Sequence, residues 1–261
     1  MPPARPRVLT SRAAGPDLAD LSGPFLVGLL GGDDVAVEDL VGRARARGAD
    51  TALLVRDLVA PALCEVGRMW FAGQASVAEE HLATSLVARV LARSAGGKGA
   101  VPRAAPRVVL ACLEGEFHDL GLRFLADVAR ETGWDAESLG ANVPRESLVR
   151  FVAQRPPAAL ALSVALAGHV PEAAVTVAEV RAAAPGITIL VGGRAFLEDV
   201  GRIELTGADA GIVDAVAFRD WLLSEGDRRA ARHVGEPNGH ACHGLPPCLP
   251  ATLRRKLSRS R

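Results

Sequence analysis

The sequence contains no tyrosine, few aromatic residues and no excess of either charge. Aromatic residues make up 4% of the 261 positions, and 30 Lys and Arg residues balance 30 Asp and Glu residues. Such a chain lacks the stacking surfaces and general positive charge of nucleic-acid-binding proteins. Its four cysteines are too scattered for a disulfide framework. The composition therefore argues against direct nucleic-acid binding by most of the chain.

Long apolar runs are also missing. The longest, residues 158–167, is interrupted by Ser163 and is too short to span a bilayer. Residues 1–15 contain arginines but no apolar core of a signal peptide. Hydrophobic residues make up 49% of the chain, enough for one large or two modest cores. We expect a cytoplasmic protein with two domains and no membrane segment.

Positive charge is concentrated at the C-terminal end. Residues 227–261 contain eight Lys and Arg against two acidic residues, several prolines and no sustained periodicity. This composition is typical of disorder, so the segment is predicted to be a basic, disordered tail and the only part suited to nucleic acid. Residues 1–17 are also predicted to be disordered. Four potential metal ligands in the tail fit no zinc spacing: His240, Cys242, His243 and Cys248.

Residues 18–95 show the apolar spacing of helices, separated by three glycine-containing breaks. Asp33 is suited to cap the second helix, and Ser76 with Glu79 forms a capping box for the fourth. Pro61 falls inside the third helix and predicts a kink there. Four helices joined by short turns predict a four-helix bundle.

A linker rich in Gly and Pro is predicted at residues 96–106, and alternating strands and helices follow over 107–226. This alternation predicts an α/β fold: a Rossmann or flavodoxin-like domain with a five-stranded parallel sheet. In the flavodoxin-like strand order 2-1-3-4-5, the first, third and fourth strands are neighbours. The predicted strands are 108–113, 134–139, 159–163, 187–191 and 210–213, with helices at 120–132, 145–154 and 171–184.

Small or polar residues follow each of these three neighbouring strands. Ligands of such sheets bind at the carboxyl ends of the strands. The first strand leads into the loop around His118, the third ends at Ser163, and the fourth runs into Gly192 and Gly193. A long, narrow ligand group could lie between these points without meeting a side chain at the glycines.

These residues resemble the fingerprint of cobalamin-binding proteins. The family pattern is Asp-x-His-x-x-Gly, Ser-x-Leu/Thr and Gly-Gly, and residues 139–144 resemble its segment after the second strand. The helical bundle resembles the family's cap domain, so the resemblance covers roughly residues 18–223. The three motifs occur here as Glu116-x-His118-x-x-Gly121, Ser163-x-Ala165 and Gly192-Gly193.

The resemblance implies cobalamin as the cofactor and His118 as the protein ligand to its cobalt. Glu116, which replaces the family's Asp, is implied to accept a hydrogen bond from the other ring nitrogen. Ser163 is implied to bond the displaced benzimidazole base. Glutamate at this position is familiar among the photoreceptor members. The implied cofactor-binding residues of this domain are Glu116, His118, Asp119, Gly121, Ser163, Ala165, Gly192 and Gly193.

Trp70, followed after nine residues by Glu80 and His81, resembles a signature of CarH-type light-sensing regulators. The resemblance implies that these three side chains lie over the upper face of the corrin. A flat indole there could cover an adenosyl or methyl group and exclude water. Several photoreceptor members have a second histidine directly after the tryptophan. Here the position is Phe71, which cannot ligate cobalt, so only His81 could substitute.

The resemblance therefore implies a cobalamin sensor and not an enzyme. Adenosylcobalamin is favoured over methylcobalamin, and light-driven loss of the upper ligand would change conformation or assembly. A homo-oligomer and a regulatory partner protein are expected. Related repressors carry a helix-turn-helix domain before the cap, whereas about seventeen residues precede it here, so action through a partner is expected. A bilin is a further candidate ligand, because the bilin-binding photocobilins share this architecture.

The alternative is a corrinoid methyl carrier of a methyltransferase system, which shares the bundle and the motifs around His118. Trp70 with Glu80 and His81 favours the sensor. A module without cofactor would require every match to be accidental. His169 follows the third strand closely enough to line the pocket but, as an isolated residue, is predicted to lie on the surface. Cys64 and Cys112 are predicted to be small buried side chains.

Overall fold

The structure, a computed structural model, describes residues 6–11, 14–94, 102 and 104–234. Residues up to Gly226 form one structural unit. Most of the predicted linker lies outside the described residues, as do the predicted tail beyond residue 234 and its His and Cys residues. None of the described helices is long and apolar enough to cross a membrane.

The first part of the chain forms the predicted four-helix bundle. Asp33 caps the second helix by accepting a hydrogen bond from the N–H of Ala36 at 2.9 Å. The capping box is also confirmed, since Ser76 and Glu79 exchange hydrogen bonds between side chain and backbone. The bundle consists of α1 (Ala19–Gly31), α2 (Asp34–Ala46), a third helix formed by α3 (Thr51–Leu54), a π-helical turn (Val55–Val59) and α4 (Ala60–Phe71), and α5 (Val77–Ser94).

The expected irregularity near Pro61 takes the form of the π-helical turn. Ala60 donates its N–H to the carbonyl of Val55, five residues back. Because Pro61 has no N–H to donate, a wider turn just before it lets the hydrogen-bond ladder change register. The third helix therefore continues through the proline from Thr51 to Phe71.

The second part forms a parallel sheet of six strands, one more than predicted. The five predicted strands are present in the predicted order, and the sixth pairs with the last of them. Along the sheet the order is β1-β6-β5-β4-β2-β3. The strands are β1 (Arg7–Leu9), β2 (Arg107–Cys112), β3 (Asp135–Gly140), β4 (Ala159–Ser163), β5 (Thr188–Gly192) and β6 (Ala210–Ile212).

Two predictions of disorder need correction. β1 lies within residues 1–17, where three residues pair with β6, at a distance along the chain that local periodicity cannot reveal. The last helix continues to Val234, beyond the predicted start of the tail at 227, through a segment of good helix formers. The helices of this domain are α6 (Leu120–Glu131), α7 (Arg145–Gln154), α8 (Val170–Ala183), α9 (Arg194–Glu198), α10 (Arg202–Thr206) and α11 (Ala215–Val234).

The bundle and one face of the sheet share a hydrophobic core. Leu54 of the bundle, Val108 of β2 and Phe218 of α11 belong to the same cluster of buried side chains. Polar contacts fix the start of the third helix: Thr51 donates to Glu131 at the end of α6, and Arg219 of α11 pairs with Asp50. The opposite face of the sheet has a separate core. The bundle is therefore anchored to the α6 and α11 side of the sheet.

Candidate functional site

The loop after β2 holds the predicted cobalt ligand against a buried carboxylate. Oε1 of Glu116 accepts hydrogen bonds from the backbone N–H of His118 at 3.1 Å and from its ring Nδ1 at 2.5 Å. Glu116 is fully buried, whereas the His118 side chain is 65% exposed. No hydrogen bond of the second ring nitrogen, Nε2, is found among the described residues. The imidazole is thus oriented through one nitrogen while the other remains available.

The second oxygen of Glu116 binds the loop after β4. Oε2 accepts hydrogen bonds from the N–H groups of Ala165 at 2.9 Å and Leu166 at 3.3 Å, and from Nδ1 of His169 at 3.3 Å. Burial acts to raise the pKa of Glu116, but the hydrogen bonds from His118, Ala165 and His169 outweigh it and lower that pKa to about 2. The carboxylate therefore stays ionised and joins the loops after two neighbouring strands.

His169, for which the sequence predicts a surface position, is instead partly buried beside Glu116. Its side chain is only 26% exposed and contacts Glu116. The short 3₁₀ turn Ala167–His169 at the start of α8 brings the ring back towards β2. The contact joins residues 53 positions apart, and nothing in the local sequence around His169 signals it.

Asn142, which follows β3, holds the loop after β2 through two hydrogen bonds. Its backbone lies in the left-handed region, with φ of 50°. Its side-chain Oδ1 accepts a hydrogen bond from the N–H of Gly115 at 2.8 Å, and its own N–H donates to the carbonyl of Glu116 at 2.8 Å. The resemblance of residues 139–144 pointed to this segment, but not to Asn142 as the residue that fixes the loop around His118.

Gly193 permits a backbone contact that no other residue would allow. Its φ is +113°, and a Cβ there would lie 2.4 Å from the carbonyl oxygen of Val164. At Gly192 a Cβ would lie 3.1 Å from the carbonyl oxygen of Ile212. The N–H of Val164 also donates to the carbonyl of Gly192 at 2.8 Å. The glycine pair therefore keeps the ends of β4, β5 and β6 in close contact and free of side chains at this edge.

Four predicted binding residues line one cavity at the carboxyl edge of the sheet. The cavity has a volume of about 410 Å³. Much of the remaining wall is apolar and comes from α6, from the end of β6 with the residues that follow it (212–215), and from the third helix of the bundle. Its charged residues are Arg56, Arg194 and Asp214. The predicted residues in the wall are Gly121, Ser163, Gly192 and Gly193. The cavity lies at the strand ends where the sequence motifs predict a ligand to bind.

The other predicted residues have more local contacts. Asp119 stands at the start of α6 and pairs with Arg123 at 2.8 Å. Glu80 contacts the ring of its neighbour His81 and accepts a hydrogen bond from Thr84. Trp70, at the end of α4, is 48% exposed. Among the described residues, no hydrogen bond connects Trp70, Glu80 or His81 to His118.

The two described cysteines differ in their surroundings. Cys64 is exposed, which corrects the prediction that it is buried, whereas Cys112 is buried as predicted. Burial raises the pKa of the Cys112 thiol to about 12, with smaller contributions from Asp119 and Glu116. In the described part of the chain, no three His, Cys, Asp or Glu side chains form a group that could hold a metal ion.

Comparisons with known proteins agree with this arrangement. Two family models described as B12 binding domain match residues 25–93 and 106–218. The HTH-type transcriptional repressor CarH of Myxococcus xanthus is 36% identical over 141 residues, 53% of this chain and 46% of that protein. The HTH-type transcriptional repressor CarA of the same organism is 34% identical over 191 residues, 70% of this chain and 60% of that protein.

The chain thus spans about half of one of these repressors and three fifths of the other. Among solved structures, the Methanosarcina barkeri monomethylamine corrinoid protein has the same fold, with a TM-score of 0.65 at 16% identity. The superposition covers 80% of this chain and all of that one.

The fold and the site define a corrinoid-binding α/β protein with a helical cap. The chain is a cobalamin-binding protein with two regions that match B12 binding domains, and it resembles the CarH-type regulators. The residues present fit this cofactor. His118 offers one ring nitrogen, as a cobalt already held by a corrin requires, and the apolar cavity beside Ser163 suits a flat base.

Proposed function

We propose that the protein is a cobalamin photoreceptor that regulates a partner protein in the cytoplasm and is not an enzyme. The observation that carries cobalamin ligation is the hydrogen bond from His118 Nδ1 to buried Glu116, which leaves the rest of the ring exposed, and the choice of a photoreceptor rests on Trp70 with Glu80 and His81 in the cap. The similarity to two transcriptional repressors supports a regulatory role. Bound adenosylcobalamin, the favoured form, would supply a cobalt–carbon bond that light can break.

Glu116 sets the state of the ligand. Because its pKa is about 2, it is a charged acceptor at neutral pH and favours the tautomer of His118 with the proton on Nδ1. The lone pair of Nε2 then points away from Glu116 and is available to a metal. His169 and the N–H groups of Ala165 and Leu166 hold the carboxylate in place. The displaced base would enter the cavity beside Ser163.

The cap supplies the light-dependent part of the proposal. Trp70 would exclude water from the upper ligand, with Glu80 and His81 beside it. Phe71 is 89% exposed and has no atom that ligates a metal. His81 is therefore the candidate for a second histidine ligand to cobalt. The start of the third helix is fixed at Asp50 and Thr51, so we expect movement at its far end, near Trp70. A change in homo-oligomer assembly there is what the partner would recognise.

The experiment is reconstitution of the full chain with adenosylcobalamin in the dark, followed by green light. Absorbance and size-exclusion chromatography are recorded before and after illumination. We expect a spectral change together with a change in assembly, both altered in Trp70→Ala but not in a matched Val35→Ala variant on the exposed surface of α2. Stable binding in the dark with no change in assembly after complete photolysis would overturn the proposal.

The alternative function is that of a corrinoid methyl carrier, favoured by the fold shared with the monomethylamine corrinoid protein. A carrier would bind methylcobalamin in preference to adenosylcobalamin and would not change its assembly in light. The same reconstitution, repeated with methylcobalamin, separates the two functions. A second visible absorption band after addition of a bilin would extend the proposal to a bilin-binding photoreceptor.

A further inference from the structure

The cavity beside Ser163 is not built by the sheet domain alone. One part of its wall comes from the π-helical turn of the cap and the start of α4, which contribute Val55, Arg56, Ala60 and Pro61. The facing wall includes Leu125 of α6 and the Gly192–Gly193 backbone. The shared core and the contacts of Asp50 and Thr51 hold the start of this helix against the sheet domain. The cavity therefore depends on the position of the cap.

The chemistry of the wall restricts what can enter. Val55, Ala60, Pro61 and Leu125 present only carbon atoms from their side chains to a ligand. Arg56, the other cap residue in the wall, holds Asp57 through Nε at 2.6 Å and Nη2 at 2.8 Å. The remaining polar residues of the wall belong to the sheet domain and are Ser163, Arg194 and Asp214. A base with methyl groups on a benzene ring gains from burial against such a wall. An adenine base, in contrast, would have to bury ring nitrogens and an amino group that have lost their hydrogen bonds to water.

We infer that Val55, Ala60 and Pro61 of the cap form an apolar wall of the binding site for the nucleotide tail of the corrinoid. This wall makes the site selective for a benzimidazole base over a purine base. The inference rests on the proposed ligation by His118, which frees the base from cobalt. Because the same continuous helix carries Trp70 one residue before its end at Phe71, one cap element would line the tail site and also carry the side chain proposed to cover the upper ligand.

The test measures equilibrium binding of three corrinoids in the dark by absorbance, with full-length protein. They are cobalamin, its analogue with an adenine base, and cobinamide, which lacks the nucleotide. Wild-type protein is expected to bind cobalamin about tenfold or more tightly than the adenine analogue. Equal affinity for the two bases would overturn the selectivity.

Ala60→Trp fills the cavity from the cap side. It is expected to weaken cobalamin binding by about tenfold or more and to change cobinamide binding by less than about twofold. Ala92→Trp, at an exposed helical alanine of α5 outside the cavity, is the matched control and should bind both as wild type does. An Ala60→Trp variant that binds cobalamin normally, or that loses both ligands equally, would overturn the inference.

Circular dichroism establishes whether each variant is folded. If Ala60→Trp does not fold, the same binding measurements are made with Ala60→Leu. The light response of the wild-type protein is recorded in parallel. Normal photochemistry with no effect of Ala60 variants on cobalamin binding would reject the cap wall and leave the photoreceptor proposal intact. Selective binding of cobalamin over the adenine analogue, together with the absence of a light response, would reject the photoreceptor proposal and leave the cap wall intact.

Discussion

Glu116 and His118 are joined twice through a single carboxylate oxygen. Oε1 of Glu116 accepts a hydrogen bond from the backbone N–H of His118 and another from its ring Nδ1. The first bond fixes the chain and the second fixes the ring. The imidazole is therefore oriented before any cofactor arrives, so that binding costs less side-chain ordering.

Replacement of His118 by alanine should remove the proposed protein ligand to cobalt. We expect cobalamin to show the absorbance of its self-ligated state or to dissociate during gel filtration. His81→Ala is the matched control, because it removes a histidine from the cap and should leave the lower ligand in place. Retention of the unaltered pigment by His118→Ala would contradict the assignment.

Glu116 should matter for folding as well as for binding. In Glu116→Ala, the N–H groups of His118, Ala165 and Leu166 lose a buried acceptor, so the free energy of unfolding should fall by about 3 kcal/mol. In His169→Ala the carboxylate keeps its other donors, and the loss should be about 1 kcal/mol. Urea denaturation of the cofactor-free protein measures both. An equal loss of unfolding free energy in the two variants would contradict the prediction that Glu116 accepts more of the stabilising hydrogen bonds than His169 donates.

Gly193→Ala should be strongly destabilising. The substitution combines a strained positive φ with a Cβ 2.4 Å from the carbonyl oxygen of Val164, so we expect a loss of about 3 kcal/mol or more. Gly42→Ala, in the interior of α2 with open space around its Cβ, should instead stabilise the protein by about 0.5–1 kcal/mol. Thermal unfolding compares the two. A Gly193→Ala variant as stable as wild type would mean that β4 and β5 end differently.

The cysteines should differ in alkylation. Cys112 is buried and its thiol pKa is raised to about 12, so at pH 8 it is protonated and inaccessible. Cys64 is exposed and should react with iodoacetamide under the same native conditions. Mass spectrometry of tryptic peptides reports each site, and labelling in urea provides the fully reactive reference. Rapid native labelling of Cys112 would show that the loop around His118 opens.

Local patterns were sufficient for most of the fold. The capping residues Asp33 and Ser76 bond their own helix ends, and β2, β4 and β5 are short apolar runs with their own boundaries. Such signals depend on neighbours in sequence and can therefore be read without a structure. β1 could not be predicted because three residues have no meaningful periodicity and their partner strand begins about 200 positions later.

The candidate site, like the fold, has some features that the local sequence predicts and others that depend on contacts between distant residues. The sequence by itself determined the residue types and their order: an acid two places before His118, Ser163 at the end of a strand, and a glycine pair where a side chain would collide. Tertiary structure alone decided that His169 bonds Glu116 and that Ala60 and Pro61 enclose the cavity with α6. Those contacts join elements far apart in the chain, and their positions follow from packing of the cap on a shared core, which no local pattern encodes.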